Sequence, residues 1–376
     1  HELGRRMGLP PRIVEELFQR LRKEQLCQVT GMDGNVHRIT TTSAGKTRAM
    51  ELLAQNHYVG PAPVSLADYV RTVMAQTVTD IEVTPDAIER AFEDLVLDTE
   101  LLTRLGTAVR SGRTVFLYGP TGTGKSVIAE TLARLFEKDE ILVPYAVEVD
   151  GQIITVYDPA FHQAADASQQ AHHDPRWRLV RRPCLLVGGE LTIEMVDLQF
   201  NPSTRFYTAP IQMKANNGLL IVDDFGRQRM NPEELLNRWV VPLERRIDFL
   251  SLAGGKKVEI PFDLFVVFAT NLDPAKMVEE AFLRRIQTKI KVDFVTPEQF
   301  HEISRRVCLQ AGLTYDAEVT DGIIRMITDE YNEPLRACYP RDVVQQIVWA
   351  ARYLDKEPSL DHESVAAACR NYFLAR

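Results

Sequence analysis

Cysteine is scarce and unpatterned in this chain: Cys27, Cys184, Cys308, Cys338 and Cys369 are scattered through 376 residues with no C-x-x-C pair. That spacing argues against a disulfide framework or a zinc site and fits a reducing compartment, so a cytoplasmic location is expected. No apolar run approaches the roughly 18 residues that a membrane span needs. Residues 1–30 lack the apolar core of a secretory signal, and the chain opens on His1, not Met, which leaves room for a preceding segment. Neither an internal repeat nor a low-complexity tract is present. What remains is an ordinary globular composition, 45% hydrophobic and 26% charged, which excludes collagenous, mucin-like and wholly disordered chains. The length exceeds what one core usually absorbs, so two or three domains are expected.

Charge is uneven. Residues 1–50 hold nine Lys/Arg against five Asp/Glu, a balance of +4, within a chain of net charge −8. A basic head on an acidic body points to separate partners for the two parts. The head reads as a short helix (Glu2 to Gly8), a second helix from Pro11 to Gln25 and a strand from Cys27 to Thr30. A turn, a strand from Asn35 to Thr40 and a helix from Ser43 toward Leu53 follow. That order resembles a winged-helix domain. Residues 56–84 read as a linker, because Tyr58 to Val64 is rich in Pro and Gly. Beyond it, helices near Ile88–Val96 and Leu101–Val109 precede apolar strands that alternate with helices to about Phe294. After Pro297 the pattern is purely helical.

Gly119-Pro120-Thr121-Gly122-Thr123-Gly124-Lys125-Ser126 matches G-x-x-x-x-G-K-S, between the apolar strand Val115–Tyr118 and a helix opening at Ser126. Glycines let the backbone wrap phosphates, whose charge the inward N–H groups favour. Lys125 would reach the β/γ-phosphates and the Ser126 hydroxyl would ligate Mg²⁺. The strand Leu219–Val222 ends in Asp223 and Asp224, as a Walker B strand requires. Asp223 would hold the metal, and Asp224 would orient or deprotonate the attacking water. An Asp at this second position is one methylene shorter than the commoner Glu, which favours slow or indirect water activation.

With three further motifs the chain resembles the AAA+ ATPases. Asn271, in Phe268-Ala-Thr-Asn271, stands where that family keeps its sensor 1 residue. Ala281-Phe-Leu-Arg-Arg-Ile286 looks like the arginine-finger segment, with Arg285 fitting the position better than Arg284. Arg341, in Tyr339-Pro-Arg341, matches the sensor 2 arginine of the helical lid. Arg246 to Pro261 carries two strand-like runs about a Gly-Gly turn, a hairpin signature. Its position is similar to the insertion of the pre-sensor-1 group, which includes MoxR-type ATPases. The larger region Val143–Lys214 begins with a hairpin about Asp150-Gly151 and is expected to project toward a partner or pore.

The resemblance implies an α/β P-loop NTPase: a parallel-sheet nucleotide-binding domain over 85–295, a helical lid over 296–376 and a winged-helix-like domain over 1–55. It implies ATP and Mg²⁺ as cofactors, with Arg341 reaching nucleotide from the lid. Arg285 would then act in trans within a homo-oligomeric ring or spiral, a hexamer being the expected form. The expected function is hydrolysis of ATP at subunit interfaces to remodel or assemble a protein partner. A slow ATP-dependent assembly switch and a DNA-associated ATPase stay open as alternatives. In the head, Arg12, Gln19, Arg20, Lys23, His37, Arg38 and Lys46 lie off the apolar stripe, but Glu15 and Glu16 would repel phosphate; both DNA and protein contact remain candidates. His172-His173-Asp174 reads as a solvated loop, and Trp177-Arg-Leu-Val-Arg-Arg182 as an exposed strand whose arginines line an interface.

Overall fold

The computed structural model describes residues 2–34, 36–136, 139–166, 173–274 and 283–373. The chain forms two mixed α/β units, each drawn from three stretches. One combines His1–Ile81, Phe136–Leu220 and Gln228–Phe265; the other combines Glu82–Leu135, Ile221–Arg227 and Val266–Arg376.

The first unit opens with helices Glu2–Met7 and Pro11–Lys23. An antiparallel hairpin of Cys27–Asp33 against Val36–Thr41 follows, then helix Ser43–Gln55. This is the expected element order; Asn35, expected to begin the second strand, lies outside the described residues. Pro11 occupies the first turn of its helix, where a missing N–H goes unnoticed. Thr42 caps the third helix by accepting from the Gly45 N–H at 3.0 Å.

The expected hairpin about Asp150-Gly151 is present, Ala146–Val149 pairing antiparallel with Gln152–Thr155. Asp150 and Gly151 take φ of 51° and 78°, the left-handed pair that matches a two-residue turn to strand twist. This hairpin sits in a five-stranded sheet between Val64–Ser65 on one side and Phe206–Thr208, then Gln199–Asn201, on the other. Helix Leu66–Ala75, capped by Ser65, brings Tyr69 and Val73 into the same core as Val147, Ile154 and Tyr207. Two expectations change here. The stretch read as a linker carries a packed helix, and the region 143–214 builds much of a hydrophobic core. In both, a Pro- or polar-rich run beside the apolar positions hides their spacing.

Trp177–Arg181 also departs from expectation. It pairs antiparallel with Glu140–Pro144, and Trp177, Leu179 and Val180 are buried. Arg182 is engaged within the fold: it donates to the carbonyls of Gln76 (2.9 Å) and Asn217 (2.8 Å) and pairs with Asp139 at 3.2 Å. The expected Gly-Gly hairpin is Ile247–Ser251 against Lys257–Pro261, with Leu250, Val258 and Ile260 facing the core. Just past it, the buried Asp263 carboxylate accepts from the Thr77 hydroxyl (2.8 Å), Val78 N–H (3.0 Å) and Asn217 amide (2.6 Å), and pairs with Arg246. Unpartnered, that carboxylate would cost several kcal/mol to bury.

In the second unit, helices Pro85–Ala91 and Thr99–Arg110 lead to strand Val115–Tyr118. In its sheet the strands Thr288–Lys291, Val115–Tyr118, Phe265–Thr270 and Leu219–Val222 are neighbours in that order. Both partners of Val115–Tyr118 run parallel to it, with Val267 and Thr288 opposite Val115. Val115, Phe116 and Leu117 are all buried, as a continuous apolar run in a parallel sheet requires. Phe116 packs on Phe225 and Phe268 with ring centroids 5.8 and 5.9 Å away.

After Pro297 the unit is helical, as expected: Pro297–Ala311, Ala317–Arg325 running into a π-helical turn, Tyr339–Tyr353 and His362–Tyr372. Thr296 and Gln299 form a capping box, and Gly312 at φ 72° ends the first helix. Phe300, Ile323, Ile327, Val343 and Val365 form a core for these helices. Among the described residues, no helix is long and apolar enough to cross a membrane.

Candidate functional site

Strand Val115–Tyr118 runs into the glycine loop, and the loop into helix Lys125–Thr131. Gly119, Gly122 and Gly124 have φ of 146°, 79° and 93°. At Gly119 a Cβ would lie 2.1 Å from the Val292 carbonyl oxygen, so the loop backbone packs directly on the chain leaving strand Thr288–Lys291. At Gly122 a Cβ would meet Cys338 Sγ at 2.8 Å. The Cys338 N–H donates to the Gly122 carbonyl at 3.2 Å, so the start of helix Tyr339–Tyr353 touches the loop itself. Inside the loop, the Thr123 hydroxyl (3.0 Å) and the Lys125 ammonium (2.6 Å) both donate to the Pro120 carbonyl. Burial pulls the Lys125 pKa below its usual value, while the Asp223 and Asp224 carboxylates push it back up.

Asp223 and Asp224 follow the buried strand Leu219–Val222. Asp224 adopts a left-handed φ of 47°, and its N–H donates to Asp223 Oδ1 at 2.9 Å. That conformation costs an ordinary residue roughly 1–2 kcal/mol, less for Asp. Two bonds to the neighbouring strand hold the turn: Phe225 N–H to the Ala269 carbonyl at 2.8 Å, and the Thr270 hydroxyl to the Phe225 carbonyl at 2.6 Å. One residue on, the Asn271 amide donates to Thr121 Oγ1 at 3.1 Å, tying that strand end to the glycine loop.

These groups border one cavity of about 390 Å³, within the range of small-molecule sites. Thr121 to Ser126, Asp223, Asp224, Asn271 and Arg341 all line it, whereas Gly119 and Pro120 lie at the loop's entry and are not among its lining residues. Arg341 is 64% exposed and pairs with Asp342 at 3.1 Å, a pairing weak enough to exchange for a ligand phosphate. Arg285 is half-buried and Arg284 exposed; neither lines the cavity, and Ala281 and Phe282 of the same motif lie outside the described residues.

The cavity also has a wall that the sequence reading missed. Leu95 to Leu97, Ile303 and Val307 supply an apolar slot, and Asp94, Arg306 and Gln310 line the same cavity. Arg306 donates to the Glu93 carbonyl at 2.6 Å and pairs with Glu302 at 2.7 Å. The guanidiniums of Arg305 and Arg306 hold the Glu302 carboxyl down at about 2. Slot residues such as Leu95 and Val307 look like any core residue, so no sequence signal marks them.

In the basic head the candidate contacts are engaged locally. Arg12 pairs with Glu16 (3.2 Å), Gln19 donates to Glu15 (2.6 Å) and Arg20 pairs with Glu24 (3.1 Å). Lys23, His37, Arg38 and Lys46 are exposed. His172 lies outside the described residues, and Asp174 accepts from Arg176 at 2.7 Å.

Residues 296–371 match a family model described as a domain of unknown function (DUF8689). The uncharacterized protein YojN of Bacillus subtilis is 25% identical over 146 residues, 36% of this chain and 48% of that protein. Among solved structures, NtrX from Brucella abortus in complex with ADP is similar at TM-score 0.44 and 13% identity, covering 73% of this chain and 56% of NtrX. A RuvB mutant from Thermotoga maritima is similar at TM-score 0.39 and 12% identity, covering 78% and 72%. The chain thus spans about half the length of YojN and of the NtrX chain.

Proposed function

We propose that the chain is an ATPase of AAA+ type that binds ATP with Mg²⁺ in this cavity and works as a ring or spiral of copies. The supporting observation is convergence: the glycine loop, the Asp223-Asp224 pair, Asn271 and Arg341, distant in sequence, border one cavity of about 390 Å³. The residues suit the ligands. With Gly122 and Gly124 in left-handed backbone, the loop can turn successive N–H groups toward a phosphate, and no protein atom lies within 4 Å of where a Gly124 Cβ would sit. Ser126 and Asp223 offer the hard oxygen ligands that Mg²⁺ takes. When bound, the metal neutralises charge on the β- and γ-phosphates.

In this reading the Lys125 ammonium leaves the Pro120 carbonyl for phosphate oxygens. Asp224 orients or deprotonates water, and Asn271 holds that water or the γ-phosphate. The slot of Leu95, Val96, Ile303 and Val307 takes the base, and Arg341 reads nucleotide from the helical lid. Arg285, away from its own cavity, completes the neighbouring copy's site. The work done is remodelling or assembly of a protein partner in the cytoplasm. Calorimetry with ATP and Mg²⁺ tests the binding: wild type binds, Lys125→Ala does not. Equal binding by both would refute the assignment.

A second reading, a slow assembly switch, is favoured by one observation. Asp224 is a short acid in a strained turn, and its N–H is held by Asp223 Oδ1. Under it, Asp224→Glu raises turnover steeply while ATP affinity is unchanged.

A further inference from the structure

Residues 1–55 hold nine of the 22 large apolar side chains that are exposed among the described residues of a 376-residue chain. One set is ordered. On helix Pro11–Lys23, Phe18 is buried, while Ile13, Leu17 and Leu21 are 40%, 37% and 43% exposed. Spaced every fourth residue, they make a single row about 12 Å long. Beside it, one position earlier in each turn, run Arg12, Glu16 and Arg20, with Glu24 at the helix end. Single exposed leucines need no explanation, but an aligned apolar row flanked by charges of alternating sign is an interface pattern.

We propose that a second copy of the chain docks here, helix Pro11–Lys23 lying antiparallel to its twin. The order of charges selects that occupant. With the helices antiparallel, Arg12 stands opposite Glu24 of the second copy and Glu16 opposite its Arg20, and the two-fold axis repeats both pairs. That register puts the axis level with residue 18, so Leu17 packs between Leu17 and Leu21 of the second copy, and Ile13 lies beside its Leu21. A parallel pairing sets like charges level with each other, and an isologous contact must be self-complementary in this way. Duplex nucleic acid is disfavoured, because two arginines and two glutamates leave the row with no net charge to draw phosphate. This contact is independent of the nucleotide cavity and lets two assemblies join through their heads.

The experiment uses the full chain without nucleotide, in a Cys184→Ser background that removes the exposed native thiol. Leu17→Cys, which places one thiol on each side of the axis, gives a covalent dimer on mild oxidation. Met50→Cys, 70% exposed on helix Ser43–Gln55, stays monomeric at the same concentration. Absent cross-linking at position 17, or equal cross-linking at both, overturns the proposal. Charge reversal supplies a second arm, with unchanged thermal melting as the folding control. Arg12→Glu with Arg20→Glu, and separately Glu16→Arg with Glu24→Arg, each cut the Leu17→Cys cross-link by about tenfold, and mixing the two restores it as a heterodimer. Cross-linking indifferent to these reversals, or an unrelated protein captured while the two variants fail to pair, contradicts a second copy as occupant.

Discussion

Replacing Gly119 by alanine puts a methyl group 2.1 Å from the Val292 carbonyl oxygen, where ordinary contact begins near 3.4 Å. One side must move by more than an ångström. Val292 resists, because its N–H donates to the Tyr118 carbonyl at 2.8 Å and the strand just before it is registered on Val115–Tyr118. Overpacking of this kind costs about 1–3 kcal/mol, and weakening the backbone bond adds about 1 kcal/mol. A domain of this size loses about 2–4 °C of melting temperature per kcal/mol, so Gly119→Ala should melt roughly 5–15 °C lower. Displacing the loop by that distance should also weaken ATP binding at least tenfold, equivalent to about 1.4 kcal/mol. Gly254→Ala is the matched control: φ is 89° there, but no atom lies within 4 Å of the new methyl. It should cost only the left-handed penalty of about 1 kcal/mol and leave ATP binding alone. Thermal unfolding by circular dichroism, with titration of a fluorescent ATP analogue, measures both. If Gly119→Ala melted and bound like wild type, the close packing of loop on strand end would be refuted.

Further outcomes follow from the same geometry. Asp224→Asn should keep ATP affinity and lose turnover by roughly 10²-fold or more, the usual worth of a positioned base; steady-state phosphate release checks it, and unchanged turnover would remove Asp224 from the chemistry. Asn271→Ala removes the bond to Thr121 and should lower kcat by about 10²-fold with little change in KM, which a kcat-against-KM analysis reads directly. His162 should make stability fall in mild acid. Its Nδ1 accepts from the Asp158 N–H at 2.9 Å and its Nε2 donates to the Lys214 carbonyl at 2.9 Å, so the neutral ring fits; protonation gives up the first bond for the Asp158 carbonyl at 3.1 Å. Burial, foremost, holds its pKa below the usual value. A histidine depressed in the folded state binds its proton first in the unfolded chain, so this contribution is present above about pH 6.5 and is lost as pH falls below it. Urea midpoints from pH 8 to 5 should show a drop in wild type that is smaller in His162→Gln.

Local signals were legible and long-range ones were not. Gly-Gly at 254–255 and Asp150-Gly151 mark hairpins because positive φ at fixed positions is a property of those residues. Gly119 to Ser126 announces its own loop because few other residues fit its backbone. By contrast, Tyr69 and Val73 sit in a helix that the Pro-rich run before it obscures. Trp177, Leu179 and Val180 read as an exposed strand because nothing in their own segment shows Glu140–Pro144 covering one edge. The slot of Leu95, Val96, Ile303 and Val307 is made of ordinary apolar residues, and only tertiary placement gives them a common cavity. The partition into two units, each from three stretches, likewise rests on contacts far apart in sequence.

The most direct test of the account is ATP turnover per subunit as protein concentration rises, wild type against Arg285→Ala. A site completed by a neighbour predicts a per-subunit rate that climbs with concentration and collapses in the variant while ATP binding persists. A rate independent of concentration and equal in both proteins would contradict it.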